Sequence, residues 1–259
     1  MKPRDFRIPV IGAAVLILIL EIVSRSVPTD AVWVPMLETI LTRLVGAVVF
    51  VPLIRRMGYR TLGRAQRHPD PLGTGVLAAA WIVALNNLPA VGFLTGNARV
   101  TAGGGVIALF AVECAAVGCF EELAFRGFLL PFCLERMRGR SRAVFRAALV
   151  SSLIFGAVHL VNLLSGASFG AVLMQIGYSF LIGGMCAAVL VASGSVWMCA
   201  AVHAVYNFCG TLLSRFGEGI RWDALTVALT VVLGLAAAVF LLWFLWNAED
   251  RGSLTGKTE

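Results

Sequence analysis

Residues 224–247 read ALTVALTVVLGLAAAVFLLWFLWN, a run without one charged side chain. A membrane-spanning helix needs about 20 consecutive, mostly apolar residues. This stretch meets that requirement, and comparable runs recur upstream. Eight candidates follow along the chain: Ile8–Val27, Val32–Ile54, Leu72–Leu94, Val106–Phe132, Val144–Leu164, Phe169–Ala192, Val196–Ser214 and Ala224–Asn247. The first is read as a span rather than a cleaved leader, because its apolar run is long and no small-residue cleavage site follows.

The whole chain agrees with that reading. Hydrophobic residues make up 59% of it and charged residues 14%, against about 25% charged in an ordinary soluble domain. A soluble domain could not cover so much apolar surface, so a soluble enzyme, a disordered chain and a fibrous protein are all excluded. The expected fold is all-α, a polytopic membrane helical bundle of about eight transmembrane helices. Residues 1–259 are read as a single integral-membrane domain, since the spans leave too few residues for a soluble one.

The net charge is +7. With the N-terminus in the cytoplasm, fifteen basic residues fall in inner segments and four in outer ones (Arg25, Arg99, Arg215, Arg221). That asymmetry supports eight spans with both termini cytoplasmic. Lys2 and Lys257 are the only lysines among 21 basic residues, a bias that fits a bacterial source; the expected location is then the bacterial inner membrane. The basic residues do not gather on one soluble face, so no nucleic-acid partner is expected. The six cysteines lie in or beside apolar runs without metal-finger spacing, and are read as small core residues.

Ionisable groups inside spans are costly and mark functional sites. The second span holds Glu38 and Arg43. The fourth holds Glu113, Glu121, Glu122 and Arg126. The fifth holds His159 and the seventh His203. Arg43, deep in its span, is expected to find a carboxylate in Glu38 or Glu113. Residues 119–127 read CFEELAFRG. Glu122 and Arg126 are four apart, share a helix face and can pair. Glu121 points about 100° away from Glu122, without a local cation. That division makes Glu122–Arg126 a structural pair and Glu121 a working group; one buried ion network of all three is the alternative. His203 and Asn207 are also four apart, so both can donate hydrogen bonds toward one point, as a developing oxyanion requires. An interhelical polar clamp is the plainer account of that pair. Together the groups could supply a general base, water-positioning side chains and oxyanion donors for hydrolysing a carbonyl derivative.

Three motifs, in order, resemble the CAAX protease and bacteriocin-processing family of intramembrane endopeptidases, which includes the type II CAAX prenyl endopeptidases. They are Glu121-Glu122-x-x-x-Arg126, Phe155-x-x-x-His159 and His203-x-x-x-Asn207, on separate spans. The catalytic core is placed at about residues 106–210. The resemblance implies that Glu121 and His159 activate a water and that His203 and Asn207 stabilise the oxyanion. It also implies that Glu122, Arg126 and Phe155 support the site. The substrate implied is a membrane-anchored or hydrophobic peptide or protein, met within the lipid bilayer.

A metal-free glutamate mechanism is favoured, with no cofactor, because the sequence has no His-Glu-x-x-His helix. The alternative is zinc held by Glu121, His159 and His203. Two other functions compete with proteolysis. One is a non-catalytic immunity or scaffold protein of the same fold, against which the intact motifs argue. The other is a proton-coupled transporter, against which the missing internal repeat argues.

Overall fold

The computed structural model describes Gly12, Val15, Ile19, residues 31–65 and 70–249, Leu254 and Thr255. The expected first span, residues 8–27, lies outside the described residues except for those three positions, and His68 lies outside them too.

Helix α1, Trp33–Met57, stops at Gly58, whose φ of +80° is the left-handed conformation that glycine adopts without strain. Its last turn carries Arg55 and Arg56, which suit the negative end of the helix dipole. Helix α2, Pro71–Asn86, begins with Asp70 as cap, its carboxylate accepting from the Gly73 amide at 2.6 Å, and with Pro71 in the first turn.

The expected third span, Leu72–Leu94, is not one helix. Pro89 lacks an amide donor and disfavours helical backbone at Leu88, so α2 ends at Asn86. A five-residue helix, α3 (Ala90–Leu94), follows. The turn is held by side chains: Asn86 donates to the Thr230 hydroxyl and Asn87 to the Tyr206 carbonyl, each at 3.0 Å. At 16 residues, α2 is shorter than the usual length of a span.

Strand β1, Ala98–Val100, pairs antiparallel with β2, Gly217–Gly219, with Arg99 opposite Glu218. This ribbon was not expected from the sequence. Helix α4, Gly104–Glu122, runs without a break into a π-helical stretch, Leu123–Leu129, and then into α5, Leu130–Met137. Helix α6, Ala143–Val158, ends in a 3-10 stretch, His159–Ser165. The remaining helices are α7 (Phe169–Ser193), α8 (Val196–Phe216) and α9 (Ala224–Asn247).

The bundle centres on α4, whose most extensive partners are α8 and α1. Close approach of α4 and α8 depends on Gly118, where an added Cβ would lie 2.8 Å from the Ala200 carbonyl oxygen. The core around that contact is aromatic and aliphatic: Phe50, Phe120, Phe125, Phe128, Phe155 and Leu190 are all buried. Where α1 stops, the Arg60 amide donates to the Leu254 carbonyl at 2.9 Å, and Arg138 donates to the Thr255 hydroxyl at 2.6 Å.

Among the described residues, five helices are long and apolar enough to cross a membrane: α1, Ala143–Leu164, α7, α8 and α9. Their outer faces expose large apolar side chains such as Leu41, Val48, Leu235 and Val239, a surface that only lipid can cover at this extent. The protein is an all-α integral membrane protein. Cys114, Cys133, Cys186, Cys199 and Cys209 are buried and Cys119 is half-buried, all as free thiols.

Candidate active site

Glu121 and Glu122 close the last α-helical turn of α4, immediately before the π-helical stretch. Wide turns of this kind occur often at functional positions. Glu122 and Arg126 are fully buried, and Arg126 Nη1 donates to Glu122 Oε1 at 3.0 Å. The same guanidinium lies over the Phe155 ring, 4.6 Å from its centroid, and 6.0 Å from that of Phe125. Its Nε and Nη2 find no hydrogen-bond partner among the described residues. One carboxylate and two aromatic faces therefore carry the whole compensation of a buried cation. Gly183 in α7 makes room for it, since a Cβ there would lie 3.1 Å from Arg126 Nη2.

His203 reaches this pair from α8. Its Nδ1 lies 2.7 Å from Glu122 Oε1 and its Nε2 lies 3.6 Å from Glu121 Oε2. An ionised carboxylate only accepts, so Nδ1 carries the proton and donates to Glu122. That leaves Nε2 facing Glu121. One imidazole thus sits between two adjacent carboxylates, one gripping it and one standing just beyond hydrogen-bond range. Sequence spacing does not reveal this link, because the partners are 81 positions apart. It gives Glu122 a second task besides pairing with Arg126.

His159 opens the 3-10 stretch after α6. Its Nδ1 lies 2.9 Å from the Phe155 carbonyl oxygen. A carbonyl only accepts, so Nδ1 is again the donor and Nε2 keeps its lone pair. The His159 and Phe155 rings meet edge to face at 5.3 Å, and the His203 and Phe155 rings at 5.9 Å. Phe155 is therefore shared by both histidines and Arg126. Asn207 follows one turn after His203 on α8, half-buried, and its backbone carbonyl accepts from the Thr211 hydroxyl.

Other charged groups flagged by the sequence lie elsewhere. Glu113 pairs with Arg215 at 2.6 Å. Arg215, counted above in an outer segment, belongs to the last turn of α8 and lies against the Phe110 and Phe216 rings. Arg43 is buried with its guanidinium 5.1 Å from the Phe120 ring centroid.

One group of potential metal ligands converges that shares only His203 with the expected set. Oxygen, sulfur and nitrogen atoms of Glu122, Cys186 and His203 lie within 4.8 Å of one another, all buried. Glu122 Oε1 already accepts from Arg126 and from His203 Nδ1, so a metal here would face a guanidinium at close range and would have to use Glu122 Oε2, which has no hydrogen-bond partner among the described residues.

Two adjacent carboxylates and an imidazole thus meet inside the helical bundle of an integral membrane protein. Residues 103–209 match the family model described as type II CAAX prenyl endopeptidase Rce1-like. The matched segment contains Glu121, Glu122, Arg126, Phe155, His159, His203 and Asn207. No curated protein matches the chain, and no solved structure does. The likeness to that family model supports a CAAX-protease-like membrane peptidase.

Proposed function

We propose that the protein is an intramembrane endopeptidase that hydrolyses a peptide bond of a membrane-associated peptide or protein through a water activated by Glu121 and His159. The observation that carries this reading is His203 held between Glu122 and Glu121. The 3.6 Å gap from His203 Nε2 to Glu121 Oε2 lets one water at about 2.8 Å hydrogen-bond to both. Glu121 takes the water's proton as its oxygen attacks the scissile carbonyl carbon. The carbonyl oxygen becomes an oxyanion, to which His203 Nε2–H and the Asn207 carboxamide donate. Collapse of the tetrahedral species breaks the C–N bond, and the proton held by Glu121 passes to the leaving amine. Glu122 orients and charges the imidazole through Nδ1, as a carboxylate does for a catalytic histidine elsewhere. His159, its Nε2 lone pair free, positions the water.

This mechanism uses no metal. Zinc is the competing version, with Glu121, His159 and His203 as ligands; it would supply Lewis-acid activation of the same water. The catalytic core occupies about residues 106–210 within a single integral-membrane domain. The full topology proposed is eight spans in a bacterial inner membrane with both termini cytoplasmic. Cleavage of a tagged membrane peptide by purified protein in liposomes, with and without a strong chelator, tests the proposal. Cleavage that survives the chelator is the expected result. Cleavage lost in chelator and restored by zinc would replace the metal-free mechanism, and absence of cleavage of any membrane peptide would remove the peptidase reading.

A further inference from the structure

Between α9 and the rest of the bundle lies an apolar cavity of about 530 Å³, within the roughly 300–1,000 Å³ of small-molecule sites. Its lining follows α9 from Thr230 to Leu245, about 22 Å of helix at 1.5 Å per residue. That length of apolar lining suits one extended hydrocarbon chain. Helix α9 is anchored most firmly at its two ends. At one end Asp223 caps it and Asn86 bonds Thr230; at the other Leu241, Phe244 and Leu245 are buried. No residue of α9 in positions 227–240 is buried. A Cβ placed on Gly234 in α9, or on Gly184 across the cavity in α7, meets no atom within 4 Å. Both walls leave open space at these two positions.

No charged side chain lines the cavity, but a cation stands at its Asn87 end. Asn87 Oδ1 accepts from Arg221 Nη2 at 3.0 Å. Arg221 also donates to the Gly210 carbonyl, and its guanidinium lies 4.8 Å from the Trp222 ring centroid. Its buried Nε has no hydrogen-bond partner, and none of these partners is an anion. Arg221 belongs to the short segment between β2 and α9, beside exposed Ile220 and Trp222, the kind of neighbourhood found where a helix meets the headgroup layer.

We propose that this cavity holds one acyl chain of a bilayer phospholipid, with the lipid phosphate at the Arg221 guanidinium. A dry apolar void does not retain water, and in a bilayer the filler at hand is hydrocarbon. The uncompensated guanidinium calls for an anionic oxygen group at the same end, as phosphate provides. A phospholipid joins both features in one molecule.

Native mass spectrometry of the full-length protein, with added phosphatidylglycerol or the diacylglycerol of the same chains, tests the proposal. The expected result is one phospholipid per chain, with diacylglycerol occupancy at least fivefold lower at equal concentration. Gly234→Leu and Gly184→Leu, filling the cavity from opposite walls, should each cut phospholipid occupancy at least fivefold. Circular dichroism checks that they fold, and either variant alone suffices if the other does not. Arg221→Gln should lower occupancy by phospholipid but not by diacylglycerol, and Arg221→Lys should restore most of it. Wild-type protein that binds no phospholipid, or binds both lipids alike, overturns the proposal. So do folded cavity-filling variants that keep wild-type occupancy.

Discussion

His203 Nδ1 donates to Glu122 Oε1 at 2.7 Å, across the interface of α8 and α4. The same oxygen accepts from Arg126. A single carboxylate atom thus fixes both the buried cation and the imidazole that faces Glu121. In the proposed mechanism this coupling gives Glu122 a structural and a chemical task at once.

Replacing Glu122 with alanine should therefore lower folded yield as well as cleavage. It strands Arg126 in a fully buried position, a change that costs roughly 3–5 kcal/mol. Glu122→Gln keeps an acceptor oxygen and should recover part of the stability but not the rate, because the amide cannot stabilise an imidazolium at His203. Thermal denaturation and cleavage rate measured on the same samples check both halves. A Glu122→Ala protein with wild-type melting behaviour would refute the structural half.

Phe155 touches Arg126, His159 and His203. Phe155→Ala should destabilise by about 3–5 kcal/mol, the usual cost of emptying a buried aromatic position. Phe155→Leu refills most of that volume and should fold better. It still removes the aromatic face beneath the guanidinium, so its cleavage rate should fall more than its stability. Comparing the two variants by melting temperature and rate separates packing from electrostatics.

Gly118 allows α4 to lie against the α8 backbone. Gly118→Val should force the helices apart, with an overpacking cost of about 1–3 kcal/mol. Because Glu121 follows on α4 and His203 lies on α8, the variant should also lose most of its activity. A Gly118→Val protein with full activity would show that the α4–α8 distance does not control the site.

Much of the fold was legible because apolar length and charge are local signals. The runs that became α1, α6, α7, α8 and α9 were visible as such. The pairing of Glu122 with Arg126 follows from helical periodicity alone. Non-local features were not legible. Nothing near Ala98 announces that it will pair with Gly219, and nothing near Glu122 announces His203. The pairing of Glu113 with Arg215 was hidden too, because it depends on α8 running to Phe216 rather than ending at Ser214. The break after Asn86 was signalled by Pro89, but its apolar surroundings concealed it. The π-helical stretch has no periodic signature in seven residues.

The Glu113–Arg215 pair ties α4 to α8 away from the reaction centre. Arg215 is partly exposed, whereas Glu113 is not. Arg215→Gln should lower stability by roughly 1–3 kcal/mol, the cost of leaving a buried acceptor without its charged partner. Cleavage per folded molecule should stay within about twofold of wild type, since neither residue takes part in the proposed chemistry. A collapse in rate at unchanged stability would assign the pair a catalytic role instead.

The most direct measurement is the cleavage rate of a tagged membrane peptide by Glu121→Gln protein, set against wild type in the same liposomes. The substitution preserves shape and hydrogen-bonding capacity and removes the base. General-base catalysis contributes about 10²–10⁴-fold, so the rate should fall at least 100-fold, by roughly that estimate, with melting temperature and peptide binding unchanged. A Glu121→Gln protein that cleaves at close to the wild-type rate would contradict the account.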